Sequence, residues 1–162
     1  MPDTAAPPGE FAMIDLADVL SSALPDAIAW AEAQAARGLA DGTPLTRPQL
    51  DDARAVGVAR PERIRIATVE RMPFPDTPAL AALARDTGLL PPGTIGLTLG
   101  HAVFVLRGHG TRRLLTHEFR HVHQYEAAGS IGAFLARYLQ EIATVGYGDA
   151  PLEADARRHE RD

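Results

Sequence analysis

Two histidines four residues apart constrain this chain more than anything else in it. The stretch Thr116-His117-Glu118-Phe119-Arg120-His121-Val122-His123-Gln124 carries the pattern His-Glu-x-x-His, and Leu114, Leu115, Phe119 and Val122 give it one apolar side. That pattern predicts an amphipathic helix. Residues four apart on a helix stand one above the other, so His117 and His121 can both aim an imidazole nitrogen at one ion. Glu118 lies about 100° round the helix from His117, within reach of a water on such an ion but not needed as a ligand. Metal-assisted hydrolysis asks for this arrangement. The competing reading is an exposed helix whose histidines merely lie on its polar side. Thr111 can cap the start of the helix, although Arg112 and Arg113 follow where a helix N-terminus prefers acids.

The chain has no cysteine, so a disulfide framework and a thiolate site are both excluded, and zinc would have to be held by histidine and carboxylate. At 162 residues, with 46% hydrophobic and 23% charged, it is long enough for one domain with a real core. A net charge of −5 and the lack of any basic run argue against nucleic acid as a partner, which needs clustered cations for its phosphates. All 16 basic residues are arginine, a bias on which no function is built. Residues 1 to 10 lack the basic and apolar regions of a secretory signal, and no run approaches the ~20 apolar residues of a membrane span. The expected location is cytoplasmic, with no membrane partner.

Residues 1–13, rich in proline, read as a disordered tail, and 14–162 as a single domain. From Ile14 to about Ala36, Leu16, Val19, Leu20, Ala23, Leu24, Ala27, Ile28 and Ala31 recur at helical spacing. Pro25 is expected to split this run in two or to start its second half, and Gly38 with the loop 41–44 to end it. Thr46-Arg47-Pro48-Gln49 is a capping box that predicts a helix from 47 to about 56, stopping at Gly57.

Alternation over Arg63–Val69 predicts a strand with one buried face. Thr77-Pro78 starts a helix to 86, closed by Gly88. Thr94–Leu99 and Ala102–Leu106 flank Gly100-His101, a hairpin with a two-residue II′ turn. Glycines 96, 100, 108 and 110 could allow close backbone approach near a site, or could serve only as turn and bulge residues. Ser130 caps a helix whose Ile131, Phe134, Leu135, Tyr138, Leu139 and Ile142 form a core stripe, and Pro151 opens a last helix to 158.

Two histidines need a further protein ligand. Downstream are His123, Glu126, Glu141, Asp149, Glu153, Asp155 and His159. His123 stands about 200° from His121 and cannot share its face, and Glu126 is too far along the helix. Glu153 and Asp155 are also about 200° apart, so only one of them can point at the ion.

The order of the His-Glu-x-x-His-Val-x-Gln segment, a helix of about 20 residues, a Gly-Tyr turn and then Pro151-Leu152-Glu153-Ala154-Asp155-Ala156-Arg157 resembles small gluzincin-type zinc metallopeptidases over about residues 94–158. The resemblance implies a zincin-like α+β fold: a small mixed sheet against the active helix, with further helices on both sides. It implies Glu153 as third zinc ligand, Glu118 as general base, and the preceding hairpin as the strand along which a peptide or protein substrate lies. Gln124 matches a glutamine of that subset without a role legible from sequence. Where many gluzincins place an acid four residues after the ligand glutamate, to orient a ligating histidine, this chain has Arg157. Residues 1–60 lie outside the resemblance.

The expected activity is zinc-dependent hydrolysis of peptide bonds. Tyr147, Tyr138 and His109 are the available oxyanion donors, with Tyr147 the first choice. The rival is an inactive zincin-like binding or scaffold module. A variant of the first reading makes residues 14–60 an inhibitory or partner-docking segment over a catalytic core at 61–162, so that the full chain is latent.

Overall fold

The computed structural model describes residues 15–162, so the reading of residues 1–13 as a tail falls outside the described residues. The architecture is α+β, with six α-helices and a four-stranded mixed sheet among the described residues. In chain order these are α1 (Leu16–Asp41), β1 (Thr43–Pro44), α2 (Arg47–Ala55), β2 (Arg65–Val69) and α3 (Pro78–Asp86). There follow β3 (Gly96–Leu99), β4 (Ala102–Leu106), α4 (Arg112–Ala128), α5 (Ile131–Val145) and α6 (Pro151–Arg158). A 3-10 turn, Pro61–Arg63, precedes β2. The strand order is β1-β2-β4-β3, with β2 parallel to β4 and the other pairings antiparallel.

Alternation along the strands divides the core. Ile64, Ile66, Val103 and Val105 face Leu115, Phe119 and Val122 of α4, with Ala53, Val56 and Val58 closing the far side. Ala67, Leu97, Leu99, Ala102 and Phe104 point the other way, onto Ala31 and Ala35 of α1 and Ile131 and Leu135 of α5. The sheet is therefore sandwiched, with α4 on one face and α1 on the other. Tyr125, Phe134 and Leu152 join α4, α5 and α6, the Tyr125 and Phe134 rings stacked at 3.8 Å between centroids.

Two expectations about α1 are corrected. Pro25 neither splits the helix nor starts a second one: α1 runs unbroken through it. A proline inside a helix costs about 3 kcal/mol, but Pro25 is exposed, and packing on both sides offsets the cost. Leu20 is buried before it with Leu83 and Leu139, and Ala31 and Ala35 are buried after it against the sheet. Nor does Gly38 end the helix, which continues to Asp41 with Gly42 as its cap. Gly38 is buried where α1 crosses β4: a Cβ there would stand 2.8 Å from both Ala102 Cβ and the Phe104 ring. The expected loop at 41–44 also contains a short strand, since Thr43 and Pro44 pair with Ile66 and Arg65 at the sheet edge, where proline is tolerated.

The capping box at Thr46 forms, with Gln49 N and Thr46 N each bonded to the other residue's side chain. In the hairpin turn Gly100 has φ 64° while no non-glycine residue described has positive φ, as a II′ turn requires. Residues 47–58 contribute Ala53, Val56 and Val58 to the core beneath α4.

Glu126, near the end of α4, ties three segments together. Its carboxylate accepts hydrogen bonds from Ala59 N at 2.7 Å and Arg60 N at 3.1 Å, and lies 2.9 Å from His101 Nε2 in the hairpin turn. Burial alone would raise its pKa, but these hydrogen bonds outweigh burial and lower it. A depressed carboxylate pKa stabilises the fold above the unfolded value of about 4.3 and loses that contribution as pH falls through the folded value. Glu126→Gln should therefore cost about 1–3 kcal/mol at neutral pH. In urea titrations, the gap between wild type and variant should close in acid. Gly38→Ala should also destabilise, by about 1–3 kcal/mol through overpacking, against a helix-propensity gain of about 1 kcal/mol. A higher urea midpoint for that variant would contradict the close helix–sheet approach.

Candidate metal centre

Helix α4 starts at Thr111, whose side chain accepts from Leu114 N, and ends at Gly129 with φ 91°. It is an interior helix: Phe119, Val122 and Thr116 are fully buried, and Glu118, His121, Gln124 and Tyr125 nearly so. The exposed-helix reading fails on this burial. His117 and His121 share a face, with Nε2 atoms 3.2 Å apart. Glu153, 3% exposed in the first turn of α6, places Oε2 3.3 Å from His117 Nε2 and Oε1 3.3 Å from His121 Nε2. Their three ligand atoms lie within 4.8 Å of one another, so this set could hold a metal ion.

The surrounding contacts decide which atoms face the centre. His117 Nδ1 is 2.9 Å from Glu160 Oε1, and His121 Nδ1 is 2.7 Å from Gln124 Oε1. A carboxylate only accepts. Gln124 must also present its oxygen to His121, because Nε2 of that amide donates to Leu152 O and Asp155 Oδ2, both at 2.9 Å. Both Nδ1 atoms therefore carry hydrogen, and in neutral rings both Nε2 lone pairs turn inward onto the Glu153 carboxylate. Such a convergence of acceptors is stable only with positive charge among them. Burial opposes charging either ring, but the Glu153 carboxylate and the Glu118 charge outweigh it, raising the pKa of His117 and pushing that of His121 up to about 9. The same field suits a divalent cation, and the donor set of two imidazoles and a carboxylate, each ring backed by an oxygen, fits zinc.

Glu153 is itself positioned. Tyr138 OH donates to its Oε1 at 2.7 Å, and Glu141 of α5 accepts from Leu152 N at 3.0 Å, fixing the α6 start where Ala150 offers no side-chain cap. Glu118, 5% exposed, lies beside the triad with Oε2 2.7 Å from Thr98 Oγ1. Its other oxygen rests on Gly96, where a Cβ would come within 2.6 Å. Of the four glycines weighed for close approach, Gly96 makes one. Gly100 and Gly108 instead serve positive φ, and Gly110 meets only an ordinary contact with Val105.

The other residues named from sequence are engaged elsewhere. His123 Nδ1 bonds Gly57 O, Asp155 pairs with Arg120, and His159 Nδ1 bonds Asp155 O. Glu126 and Glu141 hold backbone amides as described, and Asp149 is exposed. Tyr147, 36% exposed between α5 and α6, lines the same cleft as His117, Glu118 and Glu153. Partial burial and the charges of Glu153 and Glu118 push its pKa up to about 12, so its hydroxyl stays a donor. Tyr138 is committed to Glu153, and exposed His109 to the Arg107 carbonyl.

Sequence reasoning missed Glu160. Seven residues after Glu153, it supplies the support for His117 that Arg157 does not. Arg157 instead donates to Gly148 O and holds the Tyr147 loop. Arg161 N donates to buried Thr116 Oγ1, and Arg113 to Glu160 Oε2, which fastens residues 160–161 along α4. The misplaced charges at the start of α4 are thereby explained: Arg112 pairs with Asp52 and Arg113 with Glu160. Glu160 lies past the end of α6, so no helical spacing tied it to Glu153 or to His117.

Comparison with protein-family models, with curated proteins and with solved structures found no match to this chain. The site must therefore be judged on its own geometry. Gln124→Ala and Glu160→Gln should each weaken the affinity of the site for a divalent ion, with zinc as the probe, roughly ten- to a hundredfold in a competitive chelator titration, with an unchanged far-ultraviolet spectrum. Unaltered affinity in both would remove these residues as supports of the imidazoles.

Proposed function

We propose that this chain is a zinc-dependent metallopeptidase with a zincin-like fold, in which His117, His121 and Glu153 hold the ion and Glu118 is the general base. The observation that carries this reading is the convergence of two imidazole nitrogens and one carboxylate beside a second, separately held carboxylate. Zinc in that set supplies Lewis-acid polarisation of a substrate carbonyl and brings the ionisation of water towards neutrality.

The chain's own groups supply the rest. Glu118 is held beside the ligand set by the bond of its Oε2 to Thr98, which leaves Oε1 to take a proton from the attacking water and pass it to the departing amine. Tyr147 offers its hydroxyl to the developing oxyanion. Strand β3 forms the sheet edge beside α4. Leu106 N bonds Ile95 O, and the register continues through Leu97–Phe104 and Leu99–Ala102, so the backbone groups of Gly96 and Thr98 point away from β4. An extended peptide can pair there, next to Glu118, which favours a peptide over a small ester or amide. Among the described residues no helix is long and apolar enough to cross a membrane.

Glu118→Gln should reduce hydrolysis of a peptide library by about 10²–10⁴-fold, the usual range for a general base, while zinc content stays at wild-type level. Full activity in that variant would remove Glu118 as base. Stoichiometric zinc with no cleavage by the wild-type chain would leave a metal-binding module instead.

A further inference from the structure

A second cleft, of about 550 Å³, lies between the C-terminal half of α4, the start of α5 and one face of α6. None of His117, Glu118, His121 and Glu153 lines it. Each helix gives it an arginine: Arg120 from α4, Arg137 from α5 and Arg158 from α6. These three face a single lining carboxylate, Asp155, in a chain whose net charge is −5. Asp155 is already shared, accepting from Arg120 at 2.7 Å and Gln124 at 2.9 Å, with Arg158 at 3.6 Å. Arg137 pairs at 3.1 Å with Glu141, whose other oxygen holds Leu152 N. Neither the packing of the fold nor the chemistry of the centre accounts for this excess of cations.

The side chains of Arg137 and Arg158 are 66% and 68% exposed. Ion pairs so exposed are worth little, so both guanidinium groups are available to a stronger anion. A carboxylate would occupy one such fork, whereas the three oxygens and double charge of a phosphate monoester can engage two that approach from different walls. Between those walls Ala127, Ala128 and Ala133 leave the space unfilled, and the buried rings and methyls of Phe134 and Leu152 give it an apolar base. Its volume exceeds that of a bare anion and falls in the range of small-molecule sites, about 300–1,000 Å³.

We propose that this cleft binds a small phosphate monoester with an apolar body, its phosphate held by Arg137 and Arg158, and that its occupancy tightens the metal centre. The link is Gln124, which lines the cleft and touches both sites. Its Nε2 donates to Asp155 Oδ2, and its Oε1 accepts from His121 Nδ1. When phosphate draws Arg158 away, the Asp155 charge bears more fully on the Gln124 amide. A more polarised amide holds the His121 Nδ1 proton more strongly and makes Nε2 a better ligand. This holds whether or not the centre hydrolyses peptides.

The test titrates phenyl phosphate into the metal-free chain by calorimetry, with inorganic phosphate and phenol as comparisons. Saturable binding is expected, several-fold tighter for phenyl phosphate than for inorganic phosphate and absent for phenol. Arg137→Ala and Arg158→Ala, both at exposed positions, should each weaken it about tenfold, the loss of one charge-assisted hydrogen bond. In chelator titrations phenyl phosphate should raise zinc affinity about fivefold, the lower end of usual coupling between sites. That gain should vanish in Arg158→Ala, and in Gln124→Ala it should vanish while phenyl phosphate still binds. No saturable binding, or binding indifferent to both arginines, overturns the site. Equal affinity for inorganic phosphate overturns the apolar body. An unmoved zinc affinity, or a gain that survives in Arg158→Ala, overturns the coupling.

Discussion

Three electron-rich atoms cannot share a small volume inside a protein without a positive charge among them, and the rest of this molecule is arranged around that constraint. The two imidazole Nε2 atoms and the Glu153 carboxylate are forced together because every alternative is closed off. Glu160 and Gln124 claim the Nδ1 protons, Tyr138 fixes one carboxylate oxygen, and Glu141 pins the first turn of α6. Buried polar groups left half-satisfied would cost the fold several kcal/mol. Among the described residues no buried side-chain nitrogen or oxygen lacks a partner. The centre is thus held by a network whose members are interdependent.

The scaffold makes this network possible by burying α4 on several sides. Phe119, Val122 and Leu115 lock it to one sheet face, Tyr125 stacks on Phe134 of α5, and Arg120 reaches both Val56 O and Asp155. A helix so enclosed has little freedom to rotate its histidines away. The opposite sheet face is covered by α1, whose close crossing at Gly38 also brings Ala27 and Trp30 to the rim of the cleft that Tyr147 lines.

How much of this could be read from the residues depended on the range of the interaction. Local devices were legible. The Thr46 capping box, the Gly100 turn, the Ser130-capped stripe and the histidine pair all rest on contacts within a few positions, where spacing alone fixes geometry. Long-range compensation was not. Pro25 looked like a break because its local cost is visible in sequence, while the packing that outweighs it comes from α3, α5 and the sheet. Gly38 looked like a stop because its meaning lies in Ala102 and Phe104, more than sixty positions on. Helix angles removed His123 and allowed only one of Glu153 and Asp155 to face the ion, with Glu141, Asp149 and His159 still open and Glu153 favoured by the resemblance alone; only the fold shows Asp155 spent on Arg120 and Gln124. Glu160 was not legible because it lies beyond α6 and meets His117 across forty-three positions.

The central claim is a coordination sphere, and zinc-edge X-ray absorption on the zinc-loaded protein reads it directly. The account predicts two imidazole nitrogens and a carboxylate oxygen on each zinc, one zinc per chain, and loss of the ordered site in Glu153→Ala. A sphere with fewer than two imidazoles, or one unchanged by that substitution, would contradict it.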